Sequence, residues 1–195
     1  MRPRVFIIAN NPCINWNKLD RREGDIFVCM NLYHSQLTNA RKKIQSCPYL
    51  IDYLWLRVCK NGHIKGTPTT GHIKQINPKT KVFFHSEYSS YSEGSYFGDE
   101  NNYNQFCEHL VNKPETSSRY EIITQDMYPT KRPKLGPVVA YWAVDFEPFK
   151  DYDIYCVNFT IPYVKLQFNI WHDHELDDKL ILDLEKQGRI KLIFT

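Results

Sequence analysis

Short apolar runs alternate with segments of helical periodicity along this chain. The runs are rich in β-branched and aromatic residues, which favour strands, and they lie at 4–9, 25–30, 81–85, 119–125, 152–159 and 190–195. Helical periodicity predicts helices at 101–112, 136–149 and 175–188. Strands and helices that alternate at these lengths are typical of α/β proteins. We therefore predict a single Rossmann-like domain over residues 1–195, in which helices flank a mostly parallel sheet.

Two regions do not follow this alternation. Residues 34–80 contain the run CPYLIDYLWLRVCKNG, for which we predict a helix, and then a stretch rich in Gly, Thr, Pro and Lys. Residues 86–104 are polar and rich in tyrosine. We predict long loops at 61–80 and 86–104. Long loops over a sheet often serve as lids of a ligand site.

Composition restricts the class of protein. A chain of 195 residues is long enough to bury one continuous core. It has no apolar run of the ~20 residues that a membrane span needs and no signal-peptide pattern, so we expect a soluble protein. The formal charge of +3 is too small to indicate nucleic acid as a partner. The six cysteines form no CxxC pair, which favours reduced, buried thiols in a cytosolic protein.

The first strand runs directly into two asparagines and a proline. In open α/β sheets, ligands bind beyond the carboxyl ends of the strands, and helix N-termini at that edge favour phosphate. Asn10 and Asn11 would lie there, and their amides can hydrogen-bond a phosphate, a ribose or a base. Taken alone, the same residues are more typical of a helix cap, with Pro12 at the first helical position.

A second polar cluster precedes the last predicted helix. His172 and His174 flank Asp173, and Glu175 follows. A histidine oriented by a neighbouring carboxylate is the usual general base for deprotonating a hydroxyl. The same residues could hold a divalent metal ion, but no further ligands follow at a diagnostic spacing, so we rank the metal second. A polar helix cap is a third interpretation.

Two further clusters are weaker. Asp151 and Asp153 form a DxD triplet, which one large class of glycosyltransferases uses to bind a metal and a sugar nucleotide. Here the triplet stands where a strand begins, the wrong end for a ligand of a parallel sheet, so a charged loop is favoured. Basic side chains lead into the helix that begins near Gly136 and would suit an anionic ligand; they are Lys131, Arg132 and Lys134.

Several short motifs occur in the order known from one enzyme family. The first strand runs as IIANNPC, with Asn10 and Pro12, and the next strand as DIFVCM. Arg132 stands four residues before Gly136 at the start of a helix, and the strand KDYDIYCVNF follows that helix. His172 stands five residues before an aspartate of the last helix. Together these motifs resemble bacterial sialyltransferases of glycosyltransferase family 42, of which the chain would be a short, divergent member.

The chain departs from the family pattern at several positions. Two glycines that the family has in the first loop are replaced here. The family's asparagine after the second strand has no counterpart at the same position, and Asn31 stands one residue later. A glycine and an aspartate of the family's later strand are also replaced. The residues at the replaced positions are Ala9, Asn11, Met30, Cys156 and Asn158.

The resemblance implies an inverting, metal-independent transfer of sialic acid from a CMP-activated donor to a hydroxyl of a glycan, such as a lipooligosaccharide. His172 would be the catalytic base, and no cofactor would be needed besides the donor. The cytidine monophosphate leaving group carries a phosphate, which helix N-termini and polar side chains can stabilise without a metal ion. The residues implied in binding the nucleotide and donor are Asn10, Asn11, Asn31, Arg132, Gly136, Tyr155, Asn158 and Tyr163.

Two other functions stay open. One is a transferase or hydrolase that uses another sugar nucleotide, and the other is a non-catalytic binding protein on the same scaffold. The expected partners are a sugar nucleotide and a glycan acceptor, and not nucleic acid. We expect a cytoplasmic location, with peripheral contact to the inner face of the membrane and homo-oligomerisation as open alternatives.

Overall fold

The computed structural model describes residues 2–9, 14–30, 50–58, 77–86, 100–116, 134–159 and 174–195. The strands are β1 (Arg4–Ile8), β2 (Ile26–Met30), β3 (Tyr53–Val58), β4 (Lys81–Ser86), β5 (Glu115–Thr116), β6 (Asp153–Val157) and β7 (Lys191–Ile193). The helices are α1 (Glu100–His109), α2 (Leu135–Asp145) and α3 (His174–Lys186), with short 3-10 helices at Trp16–Leu19 and Glu147–Phe149. No helix in these ranges is long and apolar enough to cross a membrane.

Contacts along the backbone divide the chain into two compact units. The first unit comprises Met1–Ile26 and Arg119–Thr195, and the second comprises Phe27–Ser118. In the first unit β1 pairs with β6, and β6 with β7. In the second unit β2 pairs with β3, β3 with β4, and β4 with β5. All five pairings are parallel, which confirms the predicted Rossmann-like α/β class, in which helices flank a parallel sheet.

Strands β1 and β6 of the first unit are largely buried. In β1, residues 5–8 are all buried, and in β6 the residues Ile154, Cys156 and Val157 are buried as well. The register places Phe6 opposite Tyr155 and Ile8 opposite Val157. Unbroken apolar runs are expected for strands that helices cover, because side chains on both faces must then leave water.

Helix α2 packs on this sheet through an almost wholly apolar surface. At its C-terminal end, Trp142 forms a cluster of aromatic rings with Phe146 and Phe149, with centroids 4.7 Å apart for Trp142 and Phe146 and 5.0 Å apart for Phe146 and Phe149. The first turn of α2 lies at the carboxyl end of β6, because Gly136 packs against Phe159 there. The predicted helix 136–149 was too long at its end, because Pro148 lacks the N–H needed to continue the α-helix.

One predicted element has the wrong type. Residues 53–58, which lie within the run assigned to a helix, form strand β3. Tyr53, Leu54, Trp55 and Leu56 are all buried, so the run has neither the alternation of a half-exposed strand nor the periodicity of a half-exposed helix. A strand covered on both faces therefore has the same apolar signature as a buried helix.

The remaining predictions are tested only in part. The strand predicted at 119–125 lies outside the described residues, and so does most of both predicted loops. Residues 77–80 form a turn, Ser86 ends β4, and residues 100–104 belong to α1.

Among the described cysteines, Cys29 and Cys156 are buried free thiols and Cys107 is a partly buried one. Burial raises the pKa of the Cys156 thiol far above its ordinary value, so this thiol stays protonated.

Candidate functional site

The carboxyl ends of β1, β6 and β7 form one edge of the parallel sheet. Ala9, directly after β1, donates its backbone N–H to the carbonyl of Val157 at 3.1 Å. Asn158, directly after β6, donates its backbone N–H to the carbonyl of Ile193 at 2.9 Å. The pairing therefore extends past the end of each strand. Ala9 and Asn158 are held at the edge where open α/β sheets bind ligands.

Asn158 has a backbone conformation that few residues adopt. Its φ of 56° lies in the left-handed region, which asparagine tolerates better than most residues. Its side chain is buried against Thr195: Oδ1 accepts the backbone N–H of Thr195 at 2.9 Å, and Nδ2 donates to the Thr195 Oγ1 at 3.2 Å. The residue thus turns the chain at the end of β6 and attaches the segment that follows β7.

The segment after β1 is attached at the same place. Asn15 donates its backbone N–H to the Oγ1 of Thr195 at 3.0 Å. The side chain of Asn15 also caps the following 3-10 helix, because its Oδ1 accepts the N–H of Asn17 at 3.2 Å. Thr195 therefore connects the segment after the first strand to the end of β6.

Helix α2 begins directly against the end of β6. A Cβ atom added at Gly136 would lie 2.9 Å from Cε1 of Phe159, which is closer than carbon atoms normally approach. Phe159 follows Asn158 and is itself buried. The absence of a side chain at Gly136 therefore lets the first turn of α2 approach the carboxyl end of the strand.

A buried carboxylate connects the starts of two helices at this edge. Asp177, in the first turn of α3, accepts the backbone N–H of Lys134 at 3.0 Å through its Oδ1. Lys134 is the N-cap residue of α2, and its Nζ lies 3.8 Å from Oδ2 of Asp177. The Asp177 side chain is 2% exposed, whereas that of Lys134 is 40% exposed. A negative charge at this position is favourable for the dipoles of both helices.

Two of the predicted binding residues come together here. Gly136 packs on Phe159, the neighbour of Asn158, so both predicted residues lie at the carboxyl edge. Tyr155 lies earlier in β6, where its ring stacks on Phe6 with centroids 5.3 Å apart. Its implied role in binding the nucleotide or donor stays a prediction. The remaining predicted residues lie outside the described residues: Asn10, Asn11, Asn31, Arg132, Tyr163 and His172.

The DxD triplet lies at the opposite end of β6, as the sequence predicted. Asp153 is the first residue of the strand, and its Oδ2 lies 3.3 Å from the Nζ of Lys191. The hydrogen bond with Asp153 is the main cause that raises the pKa of Lys191, and a second one with Tyr155 adds to it. Asp153 therefore has a partner within the sheet and stands away from the candidate ligand edge.

The described ranges offer no obvious metal site. They contain no group of three or more His, Cys, Asp or Glu side chains that could hold a metal ion. The alternative metal site at His172 and Asp173 lies outside those ranges, so it is not tested.

Comparison of the chain with protein-family models, with curated proteins and with solved structures gave no match. The site therefore rests on the contacts within this chain. Sequence reasoning did not identify Asn15, Phe159 or Thr195 as parts of the edge. Phe159 could have been found from its position at the end of a predicted strand. The contact between Asn15 and Thr195 joins residues 180 positions apart, for which the sequence offers no local signal.

Proposed function

We propose that this chain is a glycosyltransferase of the sialyltransferase type, which transfers sialic acid from a CMP-activated donor to a hydroxyl of a glycan. The contact between Gly136 and Phe159 is the main observation in support, because it brings the N-terminal turn of α2 to the carboxyl end of β6. A parallel sheet binds ligands at that edge, and a helix N-terminus there favours a phosphate.

The backbone of α2 provides the donors for the phosphate in this proposal. Pro137 has no N–H, and the N–H of Val138, four residues after the N-cap, bonds to the Lys134 carbonyl within the helix. The first-turn donors left for a phosphate are therefore the N–H groups of Leu135 and Gly136. The N–H of Lys134 is already bonded to Asp177. Donors that are fixed before the reaction stabilise the charge that develops on the departing phosphate, and they need no reorganisation.

His172 is the proposed general base. It stands two residues before the start of α3, and α3 begins beside the N-cap of α2 at the carboxyl edge. In the proposed step, the imidazole accepts the proton of the acceptor hydroxyl as the new bond to the anomeric carbon forms. The bond from that carbon to the phosphate oxygen breaks, and CMP leaves with the electron pair. Attack opposite to the leaving group inverts the configuration.

The proposed acceptor is a glycan, and the proposed location is the cytoplasm, with peripheral contact to the inner face of the membrane. No metal cofactor is part of the proposal, because the leaving group is a nucleoside monophosphate that helix N-termini and polar side chains can stabilise.

Titration of the wild-type chain with CMP, UMP and GMP tests the donor class. We expect CMP to bind most tightly, with the same affinity in EDTA and in Mn²⁺. Preference for UMP or GMP, or binding that needs Mn²⁺, would instead favour a transferase or hydrolase with another sugar nucleotide. A ligand that binds only the folded chain also raises its melting temperature, which gives an independent readout.

Replacement of the two neighbouring histidines tests the catalytic role. We expect His172→Ala to abolish release of CMP from CMP-sialic acid and to leave CMP binding nearly unchanged. His174→Ala is the matched control and should retain most of the activity. Equal loss in both variants, together with dependence on Mn²⁺, would favour a metal site at these residues. Binding of CMP without release from CMP-sialic acid by the wild type would favour a non-catalytic binding protein.

A further inference from the structure

Two residues that follow β1, Ala9 and Asn15, are held at the end of β6, the first directly and the second through Thr195. On one side, the N–H of Ala9 is bonded to the carbonyl of Val157. On the other side, the N–H of Asn15 is bonded to the hydroxyl of Thr195. Thr195 in turn is held by Asn158, the residue after Val157. Both attachments therefore depend on two consecutive residues of one buried strand end.

The Thr195 hydroxyl is the central atom of this arrangement. Its oxygen accepts two hydrogen bonds, from Asn15 N–H at 3.0 Å and from Asn158 Nδ2 at 3.2 Å, which uses both of its lone pairs. The backbone N–H of Thr195 bonds separately to Oδ1 of Asn158 at 2.9 Å. Removing the hydroxyl therefore releases Asn15 but leaves Thr195 itself attached to β6.

The conformation of Asn158 agrees with a specific role in this arrangement. A left-handed backbone is unfavourable for a residue with a side chain, and such conformations persist where the surrounding contacts enforce them. Here the side chain of Asn158 uses both its oxygen and its nitrogen on Thr195. Glycine would adopt the same φ with less strain, but it could not hold Thr195.

We propose that Thr195 is a positioning residue, whose hydroxyl, held by Asn158, fixes the chain at Asn15 and thereby sets the geometry of the proposed nucleotide site at the carboxyl edge of the sheet. The effect on a ligand rests on the proposed function. The attachment of Asn15 does not rest on the proposed function, because it concerns only hydrogen bonds within the chain.

Hydrogen exchange of the peptide 14–20 measures the attachment directly. We expect Thr195→Val to speed exchange at Asn15 about fivefold, the factor that loss of one ordinary hydrogen bond carries. Thr195→Ser keeps the hydroxyl and should restore slow exchange. Thr80→Val is the matched control, because it removes a buried Thr hydroxyl that donates to the carbonyl of Ile51 at 2.7 Å in the second unit. It should not change exchange in this peptide.

Titration with CMP measures the consequence for the ligand. We expect the dissociation constant to rise about fivefold in Thr195→Val and to stay near that of the wild type in Thr195→Ser and Thr80→Val. If Thr195→Val does not fold, Asn158→Gly serves as the test variant. This change removes both hydrogen bonds between the Asn158 side chain and Thr195, and glycine readily adopts the positive φ of this position. Asn158→Gly should show faster exchange of the peptide 14–20 and weaker binding of CMP.

The two readouts separate the possible failures. Unchanged exchange in Thr195→Val, or an equal change in Thr80→Val, would overturn the attachment. Faster exchange with unchanged CMP affinity would overturn the role of Thr195 in the ligand site. If the wild type binds no CMP at millimolar concentration, the proposed donor is wrong, and exchange still decides whether Thr195 fixes the chain after β1.

Discussion

The carboxylate of Asp177 accepts the backbone N–H of Lys134 at 3.0 Å, and so joins the first turn of α3 to the N-cap of α2. The bond connects elements 43 positions apart in sequence. Both helices begin at the carboxyl edge of the sheet in the first unit. One buried carboxylate therefore links the two helix starts at the candidate site.

Removing this carboxylate should destabilise the fold. Asp177→Ala leaves the N–H of Lys134 without its acceptor, and loss of a buried hydrogen-bond partner typically costs about 1–3 kcal/mol. We expect the free energy of unfolding in urea to fall by about 2 kcal/mol. Asp178→Ala is the control, because Asp178 is the exposed neighbour on the same helix. Equal losses in the two variants would show that the bond to Lys134 contributes nothing specific.

A methyl group at Gly136 should disturb the contact between α2 and β6. Gly136→Ala would place Cβ 2.9 Å from the Phe159 ring, and forcing extra volume into a packed site usually costs about 1–3 kcal/mol. We expect lower stability in urea and weaker CMP binding. Phe159→Leu removes the ring atom that clashes, so the double variant should recover part of the loss relative to the sum of the single changes. If the loss of unfolding free energy in the double variant equals the sum of the losses in the two single variants, the close contact between Gly136 and Phe159 is contradicted.

The buried ion pair at the other end of β1 should be important for stability. Arg4 Nη2 lies 2.6 Å from Oδ2 of Asp25, and the two side chains are 11% and 2% exposed. Asp25→Asn would leave the partly buried guanidinium without its main counter-charge, and we expect it to cost about 2 kcal/mol, less than the loss of one partner in a fully buried pair. Asp178→Asn is the control, because Asp178 is an exposed residue of α3, which begins at the opposite edge of the sheet. Its replacement should change the free energy of unfolding by less than about 1 kcal/mol.

Alkaline pH should destabilise the fold partly through Tyr141. Burial, followed by the nearby Asp183 carboxylate, raises the pKa of this phenol above its ordinary value near 10. The folded state therefore binds the phenolic proton more tightly than the unfolded state does. The resulting stability is complete below about pH 10 and is lost as the pH rises toward the pKa in the folded state. Tyr141→Phe should make the decline between pH 9 and pH 11 shallower in urea unfolding. Identical pH dependence in both chains would show that the phenol does not contribute.

Much of the fold could be predicted from local sequence signals. The apolar runs of β1 and β6 and the Gly-Pro pair at the start of α2 identified those elements correctly. Strand β3 was missed because Tyr53–Val58 contains an unbroken apolar run, and periodicity cannot separate a buried strand from a buried helix. The end of α2 was misplaced because Pro148 replaces the last helical turn with a 3-10 helix.

The position of the site could be predicted from the sequence, whereas its contacts could not. The carboxyl edge follows from parallel strand order, and Gly136 and Asn158 both lie there. The bonds that hold the edge together were not predictable, because Thr195 meets Asn158 and Asn15 across separations of 37 and 180 residues. Long-range hydrogen bonds between ordinary polar residues have no sequence pattern comparable to an amphipathic helix.

A crystal structure of the chain with CMP is the most direct test of the proposed nucleotide site. We expect the phosphate to lie within hydrogen-bonding distance of the first-turn N–H groups of α2, beside Gly136, and Asn10 and His172 to face the same cleft. A nucleotide bound at the amino ends of β1 and β6, near Arg4 or Asp153, would contradict this expectation. So would His172 pointing away from a nucleotide bound at the carboxyl edge.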